Sequence, residues 1–243
     1  MDANTQDPWA PVPWGIKVIL FDLWKTLARG PYPEPITNFR IILGLDGKVN
    51  NEDFLRVCLT TNEEDPLLYM QKVAARYGLF DLPDGALEEF QKLIRTEKNG
   101  LLTYNDLGEG NRALWALREQ GYRLGLVTNS WPFPVSSLLT DTGLDQVFEH
   151  VIVSAMVCCA KQEGARIYTD AANLFGVLPS QCCMVGDNPC LDVYPALEAG
   201  LRTILIDRDE AHIDASGRLK DLEMEKLGVR AIRNLKELPS ILR

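Results

Sequence analysis

The chain's 243 residues suffice for one large core, or for a core carrying a smaller appended domain. A formal net charge of −9, with no cluster of Lys and Arg to offset it, argues against phosphate-backbone binding, so no nucleic-acid partner is expected. No stretch nears the ~20 consecutive apolar residues of a membrane helix, and no membrane association is expected.

Residues 1–15 place Pro8, Pro11 and Pro13 among polar residues and lack the apolar middle of a signal peptide. They read as a flexible tail, and a cytoplasmic location is the expectation. The apolar run from Ile16 to Phe21 then ends at Asp22, a carboxylate set where a buried strand meets solvent and suited to act as a nucleophile. Residues 31–103 contain no apolar strand run. Asp65-Pro66 opens a helix that Gly78 ends, and Leu87, Phe90 and Ile94 line another. An insertion placed after the first strand sits over that strand's carboxyl end, either as a lid or as a purely structural helical subdomain.

Beyond the insertion, strands and helices alternate. Asp106 with Glu109 forms a capping-box pattern before Leu114 and Leu117, and Gly121 closes that helix. Leu124–Val127, Val151–Val153, Cys182–Val185 and Thr203–Ile206 are short apolar runs like Val18–Phe21, as suits strands buried on both faces. Ile167, Ala171 and Leu174 share a helix face ending at Gly176, and Pro189 to Ala199 makes a further helix closed by Gly200. The charged stretch from Asp207 to Lys226 is expected on the surface, and Asn234 to Pro239 as a last short helix. The expected fold is α/β, a doubly wound parallel sheet formed by residues 16–30 and 104–243, with 31–103 as a small helical domain.

Six cysteines include the adjacent pairs Cys158-Cys159 and Cys182-Cys183, which do not match Cys-x-x-Cys metal or redox spacing. Buried thiols in a reducing compartment are the expectation. His150 and His212 follow no pattern and are expected at the surface.

Polar residues follow the first four strand runs: Asp22, then Thr128-Asn129-Ser130, Ser154 and Gly186-Asp187. Open parallel sheets bind ligands outside the carboxyl ends of their strands, so these groups meet in one crevice, with Lys161 adding a positive charge. Such a set suits phosphoryl transfer, which depends on positioning and charge neutralisation.

Four segments in order resemble the haloacid dehalogenase-like (HAD) superfamily, with a helical cap inserted after the first motif. They are Phe21-Asp22-Leu23-Trp24-Lys25-Thr26-Leu27, Leu126-Val127-Thr128-Asn129-Ser130, Lys161, and Val185-Gly186-Asp187-Asn188-Pro189-Cys190-Leu191-Asp192. The resemblance implies a Rossmann-like HAD core and a hydrolase acting on a small phosphate ester. Asp22 would form an aspartyl-phosphate. Mg²⁺ would bind Asp22, Asp187 and the backbone carbonyl of Trp24, with Asp192 supporting the metal site and pairing with Lys161. Thr128, Asn129 and Lys161 would hold phosphate oxygens.

Three departures qualify that picture. Trp24 stands where the family usually has an acid/base Asp, and indole exchanges no proton at neutral pH; such help is typically worth ~10²–10⁴-fold in rate. Lys25 replaces a small residue and Gln162 a proline. Weakened acid/base catalysis therefore accompanies the phosphatase reading. One alternative is a 2-haloacid dehalogenase-type hydrolase, since those enzymes carry an aromatic residue at the Trp24 position, although they typically lack the acid at Asp187. Another is a catalytically weak phospho-ligand-binding or regulatory protein. Thr26 is expected to form structural hydrogen bonds, and Arg29 and Arg40 are candidates to face the crevice.

Overall fold

The computed structural model describes residues 15–29, 35–99, 112–133 and 135–242. The N-terminal tail up to residue 14, the capping box at Asp106 and Glu109, and both edges of the predicted insertion lie outside the described residues.

Six strands build one parallel sheet. They are β1 (Val18–Phe21), β2 (Arg123–Thr128), β3 (His150–Val153), β4 (Cys182–Gly186), β5 (Arg202–Ile206) and β6 (Arg230–Ile232). Their order is β3-β2-β1-β4-β5-β6. Strand β1 is therefore central, and the winding reverses between β1 and β4. That reversal opens a crevice at the carboxyl ends of these two strands.

The four helices α1 (Pro35–Ile42), α2 (Asn51–Thr60), α3 (Pro66–Ala75) and α4 (Ala86–Asn99) lie between β1 and β2. Asp65 caps α3 by accepting a hydrogen bond from Leu68 N at 2.9 Å, with Pro66 in the first turn, as its Asp-Pro sequence predicts. These helices have a core of their own. Phe39, Phe54, Tyr69 and Phe90 are buried together, with Leu87 and Ile94 packed against them.

The remaining helices cover the sheet. They are α5 (Arg112–Glu119), α6 (Val135–Thr142), α7 (Ser154–Val157), α8 (Arg166–Leu174), α9 (Tyr194–Glu198), α10 (Leu222–Lys226) and α11 (Leu238–Ile241). Side-chain alternation along β1 divides the interior. Ile19 and Phe21 pack with Leu114, Leu117, Leu138 and Leu238, whereas Val18 and Leu20 pack with Ile167, Tyr168 and Ala171. A strand buried on both faces cannot display the polar alternation of a half-exposed one, which is why its sequence is uniformly apolar. No helix among the described residues is long and apolar enough to cross a membrane.

Several local expectations need correction. Leu174 is 52% exposed; Tyr168 and Ala172, not Leu174, complete the inward face of α8. The charged stretch from Asp207 to Lys226 runs over the surface as expected, but it is anchored at four buried positions. Its Ile213, Leu219 and Met224 are buried against Val193 and Leu205, and Asp207 itself is buried, accepting bonds from Ala211, His212 and Ile213 N–H groups. Strand β6 escaped the sequence reading because three residues show too little of any period. The helix expected from Pro189 is two segments, a wide π-type turn at Pro189–Val193 followed by α9.

Candidate active site

The strand register assembles the site. Phe21 pairs with Val185, and Asp22 N–H donates to Val185 O at 2.9 Å, so Asp22 and Gly186-Asp187 leave neighbouring strands at one level. Lys161 enters from the loop before α8. Its Nζ donates to Asp22 Oδ1 and to Asp192 Oδ1, each at 2.5 Å, joining residues 139 and 31 positions apart. All three side chains are almost wholly buried. Asp192 Oδ2 accepts a second bond from Asn188 N–H at 3.1 Å, while the Asn188 side chain caps the following turn through Cys190 and Leu191 N–H. Asp192 is thus fixed at both oxygens.

Burial governs the electrostatics. It raises the Asp22 carboxyl to about 7; Lys161 opposes that rise, and Asp192 and Asp187 add to it. Asp187 is raised to about 6, again chiefly by burial and then by Asp192, with Lys25 and Lys161 opposing. For Lys161 burial works against the charge, but Asp192 and Asp22 outweigh it and hold the ammonium protonated.

Asp22, Asp187 and Asp192 each offer a carboxylate oxygen within 4.8 Å of the others. One octahedral ion, with oxygen ligands about 2.1 Å away, spans such a set with little adjustment. With all three carboxylates ionised, the cluster and the Lys161 ammonium carry a net charge of −2, which a divalent cation would neutralise. The donor set is all oxygen and hard, so it fits Mg²⁺ rather than a thiophilic metal.

The other predicted residues divide. Thr128 closes β2 fully buried, and its Oγ1 has no hydrogen-bond partner among the described residues, an orphan that an anion's oxygen would satisfy. Asn129 is engaged differently. Its Oδ1 accepts from Lys161 N–H at 2.9 Å, and its Nδ2 donates to Gln162 Oε1 at 2.6 Å, so both ends of the amide hold the Lys161 loop in place. Gln162 is therefore a partner in that clamp. Ser154 ties β2 to the residue following β3: it accepts from Ser130 N–H at 3.1 Å and donates to Ser130 O at 3.2 Å. Thr26 departs from expectation, since its hydroxyl is buried without a partner among the described residues while its carbonyl accepts from Arg208 at 2.8 Å.

Between the sheet and the helical insertion lies a cavity of about 500 Å³ that reaches Asp22, Lys161, Asp187 and Asp192. Trp24, Lys25 and Arg29 line it. Arg40 does not, being ion-paired to Asp46 at 2.7 Å. The turn that carries Trp24 is tight: Leu27 and Ala28 N–H both donate to Leu23 O at 2.8 Å. It forces Lys25 to φ +60°, the left-handed region that favours glycine.

Two contributors were missed from sequence. Tyr168 is wholly buried beside the Lys161–Asp192 pair and donates to the Leu191 carbonyl. Trp131, just after the Thr128 segment, leaves the sheet domain and enters the aromatic core of the insertion, 5.6 Å from Phe90 and 5.9 Å from Phe39 between ring centroids. Asn62 Nδ2, donating to Met156 O at 3.0 Å, joins the same two parts. An aromatic residue after a strand carries no local sign of where it will insert.

A parallel-sheet core with a lysine-bridged carboxylate cluster at its switch point defines a hydrolase-type site. The chain belongs to the haloacid dehalogenase-like hydrolases, whose family model matches residues 16–200. It is 34% identical to the glyceraldehyde 3-phosphate phosphatase of Pyrococcus abyssi over 201 residues, 78% of this chain and 80% of that protein. It is 37% identical to the phosphoserine phosphatase of Thermus thermophilus over 124 residues, 51% of this chain and 49% of the relative, so it spans about half that protein's length. The crystal structure of the 2-haloacid dehalogenase from Pseudomonas syringae pv. tomato superimposes with a TM-score of 0.59 at 23% identity, covering 93% of this chain and 98% of that one, a likeness of fold.

Proposed function

We propose that this chain is a Mg²⁺-dependent phosphomonoester hydrolase, with Asp22 as the nucleophile and an aspartyl-phosphate as intermediate. The observation that carries the reading is the convergence of Asp22, Asp187 and Asp192 around the Lys161 ammonium at the open end of β1 and β4. Bound Mg²⁺ would supply charge neutralisation at the phosphate oxygens and keep the carboxylates ionised. Asp22, Asp187 and the carbonyl of Trp24 would hold it, with Asp192 as a supporting anion.

Asp22 attacks phosphorus and the ester P–O bond breaks. Lys161 and the Thr128 hydroxyl hold the phosphoryl oxygens, while Asn129 positions the Lys161 loop. Water then attacks phosphorus, the bond to Asp22 breaks, and inorganic phosphate leaves. The helical insertion acts as a cap that excludes bulk water from this exchange. The named relatives act on small phosphorylated metabolites, which supports a small phosphate ester here. Purified protein with Mg²⁺ and an activated aryl phosphate should turn over, and Asp22→Asn should abolish that turnover. Identical rates for the two proteins would reject the assignment.

Carbon–halogen cleavage is the second reading, favoured by Trp24 at the position of the missing acid. Asp187 weighs against it, because a halide displacement has no use for a third clustered carboxylate. Chloride release from a 2-chloro acid in EDTA would reverse the order.

A further inference from the structure

The cavity has two chemically distinct ends. Its floor is the charged cluster of Asp22, Lys161, Asp187 and Asp192. The helical insertion contributes only Pro35, Ile36, Leu55 and Leu59 among the described residues, and the indoles of Trp24 and Trp131 add to that wall. Leu55 and Leu59 are one turn apart on α2 and so present a continuous apolar face. Lys25, Arg29, Asn129, Ser130 and Asn188 also line the cavity, all from the sheet domain. A polar metabolite's hydroxyl, ammonium or carboxylate turned to the wall of Pro35, Ile36, Leu55 and Leu59 would meet no side-chain donor or acceptor, and each group left unpaired costs binding. A flat apolar body, by contrast, is well matched to indole walls.

The chemistry of the leaving group points the same way. Trp24 offers no proton to a departing oxygen. A phenol-type oxygen leaves as an anion of pKa about 10, as for Tyr. An aliphatic alcohol, closer to water at about 15.7, needs the proton that Trp24 withholds. We infer that the substrate is an aryl phosphate monoester: an apolar aromatic body on the α2 wall, its phosphate on the Asp22 cluster. Asp22 bonds to phosphorus, the aryl-oxygen bond to phosphorus breaks with its electron pair, and the phenolate takes a proton from solvent. Water then cleaves the Asp22–phosphorus bond and returns the enzyme. This inference rests on the phosphatase reading above.

The test compares full-length protein with Mg²⁺ on phenyl and 1-naphthyl phosphate, benzyl phosphate, phosphoserine and glyceraldehyde 3-phosphate. Phenyl phosphate should exceed phosphoserine in kcat/KM by roughly 100-fold or more, the scale of missing acid catalysis. Leu55→Gln should raise KM for 1-naphthyl phosphate by roughly tenfold with kcat little changed. Phosphoserine or glyceraldehyde 3-phosphate handled as well as phenyl phosphate would overturn the aryl assignment while leaving the phosphatase reading intact. Benzyl phosphate, equally apolar but a poor leaving group, matching phenyl phosphate in kcat would show a proton donor and overturn it too. If no ester is turned over beyond the Asp22→Asn background, the phosphatase reading itself fails. The pocket is then judged by calorimetry: phenylphosphonate binding at least tenfold more tightly than methylphosphonate supports the apolar wall, and equal affinity overturns it.

Discussion

Gly186 and Asp192 approach so closely that a β-carbon built on Gly186 would fall 2.3 Å from Asp192 Cγ and 2.4 Å from its Oδ2. Glycine is required at 186 because the carboxylate that pairs with Lys161 occupies the space of its missing side chain.

Gly186→Ala should therefore displace Asp192, weakening its bonds to Lys161 and Asn188 N–H. A destabilisation of about 1–3 kcal/mol is expected from overpacking, measured by urea unfolding, together with loss of the Mg²⁺-induced rise in Tm. An alanine variant with full stability and an unchanged metal response would show that the Asp192 contact is dispensable.

Proton and metal linkage gives the second prediction. Asp22 and Asp187 are raised from 3.8 to about 7 and about 6, so between those limits the metal-free folded protein binds more protons than the unfolded chain. Their contribution to stability is complete below the unfolded value and fades as pH rises through 6 and 7. Metal-free protein should lose Tm from this source between pH 5 and pH 8. Added Mg²⁺ should restore more at pH 8 than at pH 5, where protons compete with it. A Mg²⁺ shift of the same size at both values would contradict the linkage.

Lys25 occupies the left-handed region at φ +60°. Lys25→Gly should relieve a backbone cost of about 1 kcal/mol, raising the urea midpoint. It should also raise the Asp187 carboxyl further, since Lys25 opposes the upward shift there. A midpoint that stays put or falls would mean that side-chain contacts of Lys25 offset its backbone strain.

Trp131→Ala should open the joint between the sheet domain and the helical insertion. Removing an indole buried among Phe39, Tyr69 and Phe90 should cost about 3–5 kcal/mol. Limited proteolysis should then cut within the helices of residues 35–99 before the sheet domain is attacked. Uniform digestion of both parts would show that Trp131 contributes to general stability and not to the joint.

Much of this arrangement was legible in the sequence because a parallel sheet advertises itself. Strands buried on both faces are uniformly apolar, and each ends abruptly at a polar residue, so Asp22, Thr128 and Asp187 stood out at strand ends. What stayed hidden depended on contacts between distant segments. Nothing near Asn129 reveals that its amide would hold the Lys161 loop, and nothing near Asp207 shows that three backbone N–H groups would draw a charged residue inside. Leu174 misled for the opposite reason: helical spacing put it on the apolar face, yet it is 52% exposed at the last residue of α8.

Trp131 and Phe133 follow Thr128 and Asn129 within five residues, and both rings pack with Tyr69 and Phe90. One short stretch of chain thus grips the roof of the cavity at one end and the Lys161 loop at the other. A shift of the aromatic core of residues 35–99 would therefore be felt at Lys161 through a handful of consecutive peptide bonds.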